Sequence, residues 1–134
     1  MKALARKTKA VCFGSLAQRS KLSHDTIGSF LDAVPKSAYK IFDINLRKHF
    51  YNREVIEYSL SRCNILKINV NEVDVIRELF GWKEQSEIQI CRQMIQDYNL
   101  KLVILTKGSI GSYVISLNNT ICIYTAVQNS PKKT

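Results

Sequence analysis

The 134-residue sequence lacks any long hydrophobic run. Its longest apolar stretches, such as residues 102–105, are much too short to cross a bilayer, so a membrane is not an expected partner. The basic start of the chain is not followed by an extended apolar segment or a cleavage site, and we therefore expect no secretory signal peptide.

The chain also lacks the cysteine and histidine patterns of disulfide frameworks and metal sites. Its four cysteines lie about 30 to 50 residues apart in apolar sequence, and none forms a C-x-x-C pair. His24 and His49 have no partners at the spacing of metal ligands. This pattern favours free, buried thiols in a reducing compartment, and we expect a cytoplasmic protein.

Acidic residues are scarce at both ends of the chain. The net charge of +9 divides into +6 over residues 1–40, −1 over residues 41–99 and +4 over residues 100–134. The basic excess makes a nucleic-acid-binding module one hypothesis. The sequence has no RNP-like aromatic motif, zinc-finger spacing or helix-turn-helix pattern, so nucleic acid is not the favoured partner.

What is present is typical of a globular domain. Hydrophobic residues make up 46% of the chain and charged residues 23%, and the length suits one domain with its own core. We therefore treat residues 1–134 as a single domain, in which the polar residues 126–134 form a loose tail.

Short apolar runs alternate with helical patterns along the chain. The runs predict strands at 10–14, 39–44, 63–68 and 101–106, and the patterns predict helices at 3–9, about 23–34 with Ser23 as a cap, 53–61, about 71–80 and 84–98. SYVISL and TICIYT flank Asn118 and Asn119, which predicts an antiparallel hairpin because Asn tolerates a positive φ. The expected fold is α/β, a parallel sheet with helices on both faces and a C-terminal hairpin.

Polar residues follow three of the predicted parallel strands, whose carboxyl ends should meet at one edge of the sheet. They are Asp43, Asn45 and Arg47, then Lys67, Asn69 and Glu72, then Thr106, Gly108 and Gly111. Together they would suit a polyanion with its magnesium ion. Each group also has a structural interpretation. The first group suits a solvated loop with a local salt bridge, the second a helix cap, and the third the turn into a hairpin.

These motifs resemble a known family. FDINLR, LKINVNE and LTKGSIGSYV, in this order and at this spacing, together with FGSLAQRS, resemble the ribokinase-like (PfkB) carbohydrate kinases, in particular bacterial fructokinase-like members. The resemblance covers about residues 3–125. It implies a three-layer αβα, Rossmann-like domain with a small β lid. It also implies transfer of the γ-phosphoryl group of ATP to a hydroxyl of a sugar, such as fructose, with Mg²⁺.

The resemblance also implies roles for the polar residues. Asn69 and Glu72 correspond to the N-x-x-E pair that organises Mg²⁺, through water, and the nucleotide phosphates. The nucleotide-binding turn of the family corresponds to Thr106, Gly108 and Gly111. Its D-x-N-x-R segment corresponds to Asp43, Asn45 and Arg47. The vicinity of the phosphates corresponds to Lys67. Arg47 is the candidate to neutralise charge on the transferred group.

The sequence departs from the family pattern at both ends. The G-A-G-D signature, with its anion hole and aspartate base, has no counterpart, and neither does the N-terminal sugar-binding part. We therefore expect a central fragment of a kinase that is inactive alone; the alternative is a non-catalytic Mg-nucleotide-binding or structural remnant. An uncovered sheet edge predicts dimerisation or aggregation.

Overall fold

The computed structural model describes residues 2–15, 18, 20–46 and 52–123, and Arg47, His49 and the predicted tail lie outside these ranges. Within these ranges the chain forms five helices and six strands. They are α1 (Lys2–Lys7), β1 (Ala10–Gly14), α2 (Lys21–Ala33), β2 (Tyr39–Asp43), α3 (Arg53–Leu60), β3 (Ile65–Asn69), α4 (Val70–Phe80), α5 (Glu87–Tyr98), β4 (Leu102–Thr106), β5 (Ser112–Ile115) and β6 (Thr120–Ile123), with a 3₁₀ turn at Gly108–Ile110.

The six strands form one sheet in the order β1-β2-β3-β4-β5-β6. Strands β1 to β4 pair in parallel, and β4, β5 and β6 pair antiparallel. The predicted α/β class, with a parallel sheet and a C-terminal hairpin, is therefore confirmed.

Helix ends follow local capping groups. The side chain of Ser20 accepts a hydrogen bond from the Ser23 N–H, so Ser20 caps α2 and the prediction of Ser23 as the cap is wrong. Helix α4 ends at Gly81, as expected, with a φ of 72° that suits glycine. Helix α5 begins later than the pattern suggested, because Ser86 and Gln89 form a capping box there.

The β5–β6 hairpin forms, but not for the predicted reason. Asn118 and Asn119 do not have a positive φ; among the described residues other than glycine, only Asn45 and Asn99 do. Ser116 holds the turn instead: its N–H donates to the Asn119 carbonyl at 2.8 Å, and its hydroxyl accepts from the Asn119 N–H at 3.2 Å. The left-handed tolerance of Asn is used at Asn99, which ends α5.

One face of the sheet, here called the covered face, carries the core. Its strand residues alternate in position and are buried: Phe13, Phe42, Leu66, Ile68, Val103, Leu105 and Ile115. They pack in one cluster with Leu31 of α2, Ile56 of α3, Ile76 of α4 and Met94 of α5. Four helices therefore contribute to a single core on the same side of the sheet.

The opposite face, here called the open face, is also apolar. Its residues are Cys12, Ile41, Ile65, Leu102, Ile104, Val114 and Ile121, and none packs in the cluster formed by α2 to α5. Ile65 is buried, at 8% exposure, and the other six are half-buried or exposed. Right-handed crossovers between strands taken in sequential order always place their helices on the same face. Helices α2 to α5 therefore lie together on the covered face, and the predicted cover of the second face does not come from these four helices.

The four cysteines divide into two classes. Cys63 and Cys91 are buried and Cys12 and Cys122 are exposed, so the prediction of buried thiols is right for only two of them. Burial raises the pKa of the Cys63 and Cys91 thiols to about 12. Across the described part of the chain, no helix has the length and apolar character needed to span a membrane.

Candidate functional site

The carboxyl ends of β2, β3 and β4 meet in one cleft. Asp43 lies beside Lys67 in the β2–β3 register, and Asn69 lies beside Thr106 in the β3–β4 register. The cleft has a volume of about 170 Å³ and is lined by six of the predicted residues: Asp43, Asn45, Lys67, Asn69, Glu72 and Thr106. The strand ends therefore meet as the sequence predicted, because parallel strands share one edge for their ends. That the cleft binds a ligand stays a prediction.

Asn69 and Glu72 form a complete capping box at the start of α4. The Oδ1 atom of Asn69 accepts from the Glu72 N–H at 2.8 Å, and Oε1 of Glu72 accepts from the Asn69 N–H at 3.0 Å. The capping interpretation of these residues is thus confirmed. The same arrangement directs the N-terminus of an 11-residue helix, with its partial positive charge, at the cleft.

The second oxygen of Glu72 reaches another strand end. Oε2 accepts from the Leu46 N–H at 2.9 Å, although Glu72 is only 8% exposed. Each carboxylate oxygen has two acceptor positions, so both oxygens retain capacity for a water molecule. The described residues contain no group of three or more His, Cys, Asp or Glu side chains that could hold a metal ion. Magnesium fits such a site only with most of its waters retained, next to one carboxylate.

Lys67 supplies positive charge at the cleft. Its Nζ atom lies 3.4 Å from Oδ2 of Asp43, and both side chains are at least one-third exposed. A pair this exposed adds little to stability. The local salt bridge considered for the Asp43 segment therefore exists, with Lys67 as its partner, and the Lys67 ammonium group remains accessible to an anion.

The T-K-G-S-I-G segment makes the turn from β4 into β5. Gly108 has a φ of 59° and Gly111 a φ of 122°, values that favour glycine. The Lys107 N–H donates to the Gly111 carbonyl at 2.9 Å, which closes the turn. The hairpin-turn interpretation is therefore confirmed. A Cβ at position 108 would meet nothing within 4 Å, so the space beside this backbone is open.

Gly14, the last residue of β1, and Ser15, which follows it, lie beside the site, and sequence reasoning gave them no role there. A Cβ at position 14 would lie 3.0 Å from the Asp43 carbonyl oxygen, so glycine allows β1 and β2 to end close together. The buried hydroxyl of Ser15 donates to the Ile44 carbonyl at 2.6 Å. The FGS motif was the available signal, because a small residue pair at a strand end permits close backbone approach.

Solved structures with the same fold include fructokinases and an aminoimidazole riboside kinase. Fructokinase from Xylella fastidiosa with bound ATP is 13% identical, with a TM-score of 0.78 over 93% of this chain and 39% of that one. Fructokinase from Vibrio cholerae, with fructose, ADP and calcium, is 20% identical, with a TM-score of 0.71 over 87% and 38%. Aminoimidazole riboside kinase from Salmonella enterica, with its riboside and an ATP analogue, is 17% identical, with a TM-score of 0.70 over 87% and 39%.

These likenesses confirm the predicted fold class, the three-layer αβα, ribokinase-like fold, of which the described helices supply one layer. The chain spans about two-fifths of the length of these structures. No curated protein sequence matches the chain. The family model described as "pfkB family carbohydrate kinase" matches residues 2–134. Since this match spans nearly the whole sequence, the chain belongs to the pfkB family of carbohydrate kinases.

Proposed function

We propose that the chain is the central part of an ATP-dependent sugar kinase of the fructokinase type, which transfers the γ-phosphoryl group of ATP to a sugar hydroxyl. The observation that carries this proposal is the single cleft in which Asp43, Lys67, Asn69, Glu72 and Thr106 converge. A helix N-terminus, an ammonium group and a carboxylate at one strand edge suit magnesium-bound phosphates.

The related kinases support the substrate class. The Xylella enzyme was solved with ATP, and the Vibrio enzyme with fructose and ADP. Identity to them is 20% or less, so the choice of sugar for this chain belongs to the proposal. We also place the enzyme in the cytoplasm, because a sugar kinase needs intracellular ATP.

Several of the predicted site residues have a proposed task. The α4 N-terminus and the turn with Gly108 and Gly111 bind the nucleotide phosphates through backbone N–H groups. Glu72 and Asn69 orient the waters of Mg²⁺, which supplies charge neutralisation when bound. Lys67 attracts the phosphates, and Arg47 neutralises the charge that develops on the transferred group.

The proposal includes a chain that binds nucleotide but does not turn it over alone. Phosphoryl transfer depends on positioning and charge stabilisation, and the family's aspartate base and anion hole have no counterpart in this sequence. We therefore expect weak, millimolar binding of Mg-ATP and no sugar-dependent ATP hydrolysis. Fructose phosphorylation by the purified chain, abolished by Glu72→Ala, would contradict this expectation.

Calorimetry with Mg-ATP tests the proposal. We expect heat of binding for the wild type, at least tenfold weaker affinity for Lys67→Ala, since a charge-assisted contact contributes about 1.5–3 kcal/mol, and unchanged affinity for Lys83→Ala. Lys83 is an exposed lysine beyond the end of α4, so its loss removes the same charge outside the cleft. No heat at millimolar nucleotide would leave a structural remnant as the function of the chain.

The net charge of +9 keeps the nucleic-acid hypothesis as the alternative. Retention on DNA with a steep dependence on salt would favour it, because each neutralised phosphate releases counterions. Indifference to DNA, together with binding of Mg-ATP, would exclude it in favour of the kinase proposal.

A further inference from the structure

The short segment after β2, residues 44–46, is held from both sides. On the β1 side, the Ser15 hydroxyl donates to the Ile44 carbonyl at 2.6 Å. On the β3 side, the Ile44 N–H donates to the Lys67 carbonyl at 3.2 Å. At its far end, the Leu46 N–H donates to Oε2 of Glu72 at 2.9 Å. Three neighbouring elements thus fix the backbone of three residues.

The Ser15 contact depends on local sequence. Gly14 lets the end of β1 approach β2 closely, because a Cβ at position 14 would lie only 3.0 Å from the Asp43 carbonyl oxygen. At this separation the short side chain of Ser15 reaches the Ile44 carbonyl. Ser15 is 1% exposed, and water cannot readily replace its hydroxyl. Removing it would leave the Ile44 carbonyl without that donor in a buried place, which is costlier than losing an exposed hydrogen bond.

The segment between these contacts has an unusual backbone. Asn45 lies between Ile44 and Leu46 and has a φ of 38°, in the left-handed region that few residues other than glycine adopt. Such a conformation persists where the surroundings fix it. Asn45 also lines the cleft. The contacts of Ser15 and Glu72 therefore bear on one residue of the candidate phosphate site.

We propose that Ser15 and Glu72 are paired positioning residues, which hold the two ends of the segment 44–46 and so set Asn45 at the cleft. Glu72 then has a second task besides the one in the proposed function, and Ser15 acquires one. The effect on ligand binding rests on that proposed function, whereas the effect on the segment itself does not.

Hydrogen exchange of the ligand-free chain, followed by NMR, tests the effect on the segment. Ser15→Ala should reduce the protection of the Leu46 amide by about tenfold or more, the cost of one lost buried hydrogen bond. The control Ser29→Ala removes an exposed hydroxyl from the middle of α2 and should leave the Leu46 amide unchanged. If Ser15→Ala does not fold, Ser15→Cys, with its weaker donor, should give a smaller loss in the same direction. Unchanged protection in the folded variant would overturn the proposal.

A double-mutant cycle separates positioning from general loosening. Because Ser15 and Glu72 act on one segment, Ser15→Ala and Glu72→Gln should be non-additive in the exchange of the Leu46 amide, whereas Ser29→Ala and Glu72→Gln should be additive. Additive effects for both pairs would overturn the pairing. With Mg-ATP, Ser15→Ala should also weaken affinity severalfold. If the wild type binds no nucleotide, the proposed function fails, while the ligand-free exchange still decides this inference.

Discussion

The two faces of the sheet have similar side chains and different surroundings. On the covered face, residues such as Leu66 and Leu105 are fully buried by α2 to α5. On the open face, residues such as Ile104 and Ile121 are equally apolar but lie outside the core, and Ile121 is 59% exposed. A strand that is apolar on both sides therefore does not tell which of its faces the same chain covers.

An uncovered apolar face is in keeping with a chain that spans only part of the length of the kinases it resembles. The solved kinases that it resembles are about two and a half times as long, and both faces of these strands read as apolar in the sequence. Measurements on single residues of each face can therefore test whether the open face contacts solvent.

The largest expected difference is in thiol reactivity. Cys12 is exposed on the open face, whereas Cys91 is buried in the core. Labelling of Cys91 requires an opening that costs about 5 kcal/mol or more, so Cys12 should react at least about 10³-fold faster in native buffer. Mass spectrometry after a timed pulse of alkylating reagent measures both rates. Equal, slow labelling of the two would mean that the open face is occluded.

Adjacent residues of β4 offer a matched pair for stability. Leu105 is fully buried on the covered face, and Ile104, half-buried, is on the open face. Leu105→Ala should cost about 2–5 kcal/mol in the free energy of unfolding, whereas Ile104→Ala should cost about 1 kcal/mol. Urea denaturation of the two variants measures both values. Equal losses would contradict the one-sided core.

Alkaline pH should lower the stability of the protein through the two thiols that are buried in the core on the covered side. Burial raises the pKa of the Cys63 and Cys91 thiols from 9.0 to about 12. Below pH 9 the thiols are neutral in both the folded and the unfolded protein, and their contribution to the free energy of unfolding is complete. Above pH 9 the unfolded thiols ionise first, so this contribution is lost as the pH rises. At about pH 10, each should cost about 1 kcal/mol of stability. Urea titrations in reductant, one below pH 9 and one at about pH 10, measure this loss. The free energy of unfolding should fall less between the two pH values for Cys91→Ala than for the wild type. The same loss in the variant would rule out the thiol as the cause.

The smallest effect on stability is expected on the open face itself. Ile121→Lys places a charge on an exposed apolar residue and should change the free energy of unfolding by about 0.5 kcal/mol or less. It should nevertheless reduce self-association, which we expect for the wild type because an apolar sheet face and edge are exposed. Sedimentation velocity compares it with Asn118→Lys, which adds the same charge in the hairpin turn. A monodisperse wild-type monomer would contradict the expectation.

Much of the fold was predictable because the local signals agree. Apolar runs located the strands within a residue or two, and Gly81 marked the end of α4. The strand order β1-β2-β3-β4, and hence the single covered face, was not predictable, because a buried parallel strand is apolar on both sides whatever its neighbours are.

The candidate site was predictable in position and less so in its contacts. The strand ends of Asp43, Lys67 and Asn69 meet as expected from parallel pairing. The Leu46–Glu72 and Ser15–Ile44 hydrogen bonds join residues 26 and 29 positions apart, and no local pattern encodes such contacts. The roles in binding of all the site residues, those of the cleft as well as Arg47 and the glycine turn, stay predictions.

The sequential strand order has a consequence for folding. Each strand pairs with the one that precedes it in the chain, so no strand has to wait for a partner synthesised much later. Short separation between pairing partners lowers the entropy lost in loop closure and speeds folding. In a longer kinase polypeptide, we expect this stretch to form an early cooperative unit during synthesis, and its open face would then serve as the surface on which later segments condense.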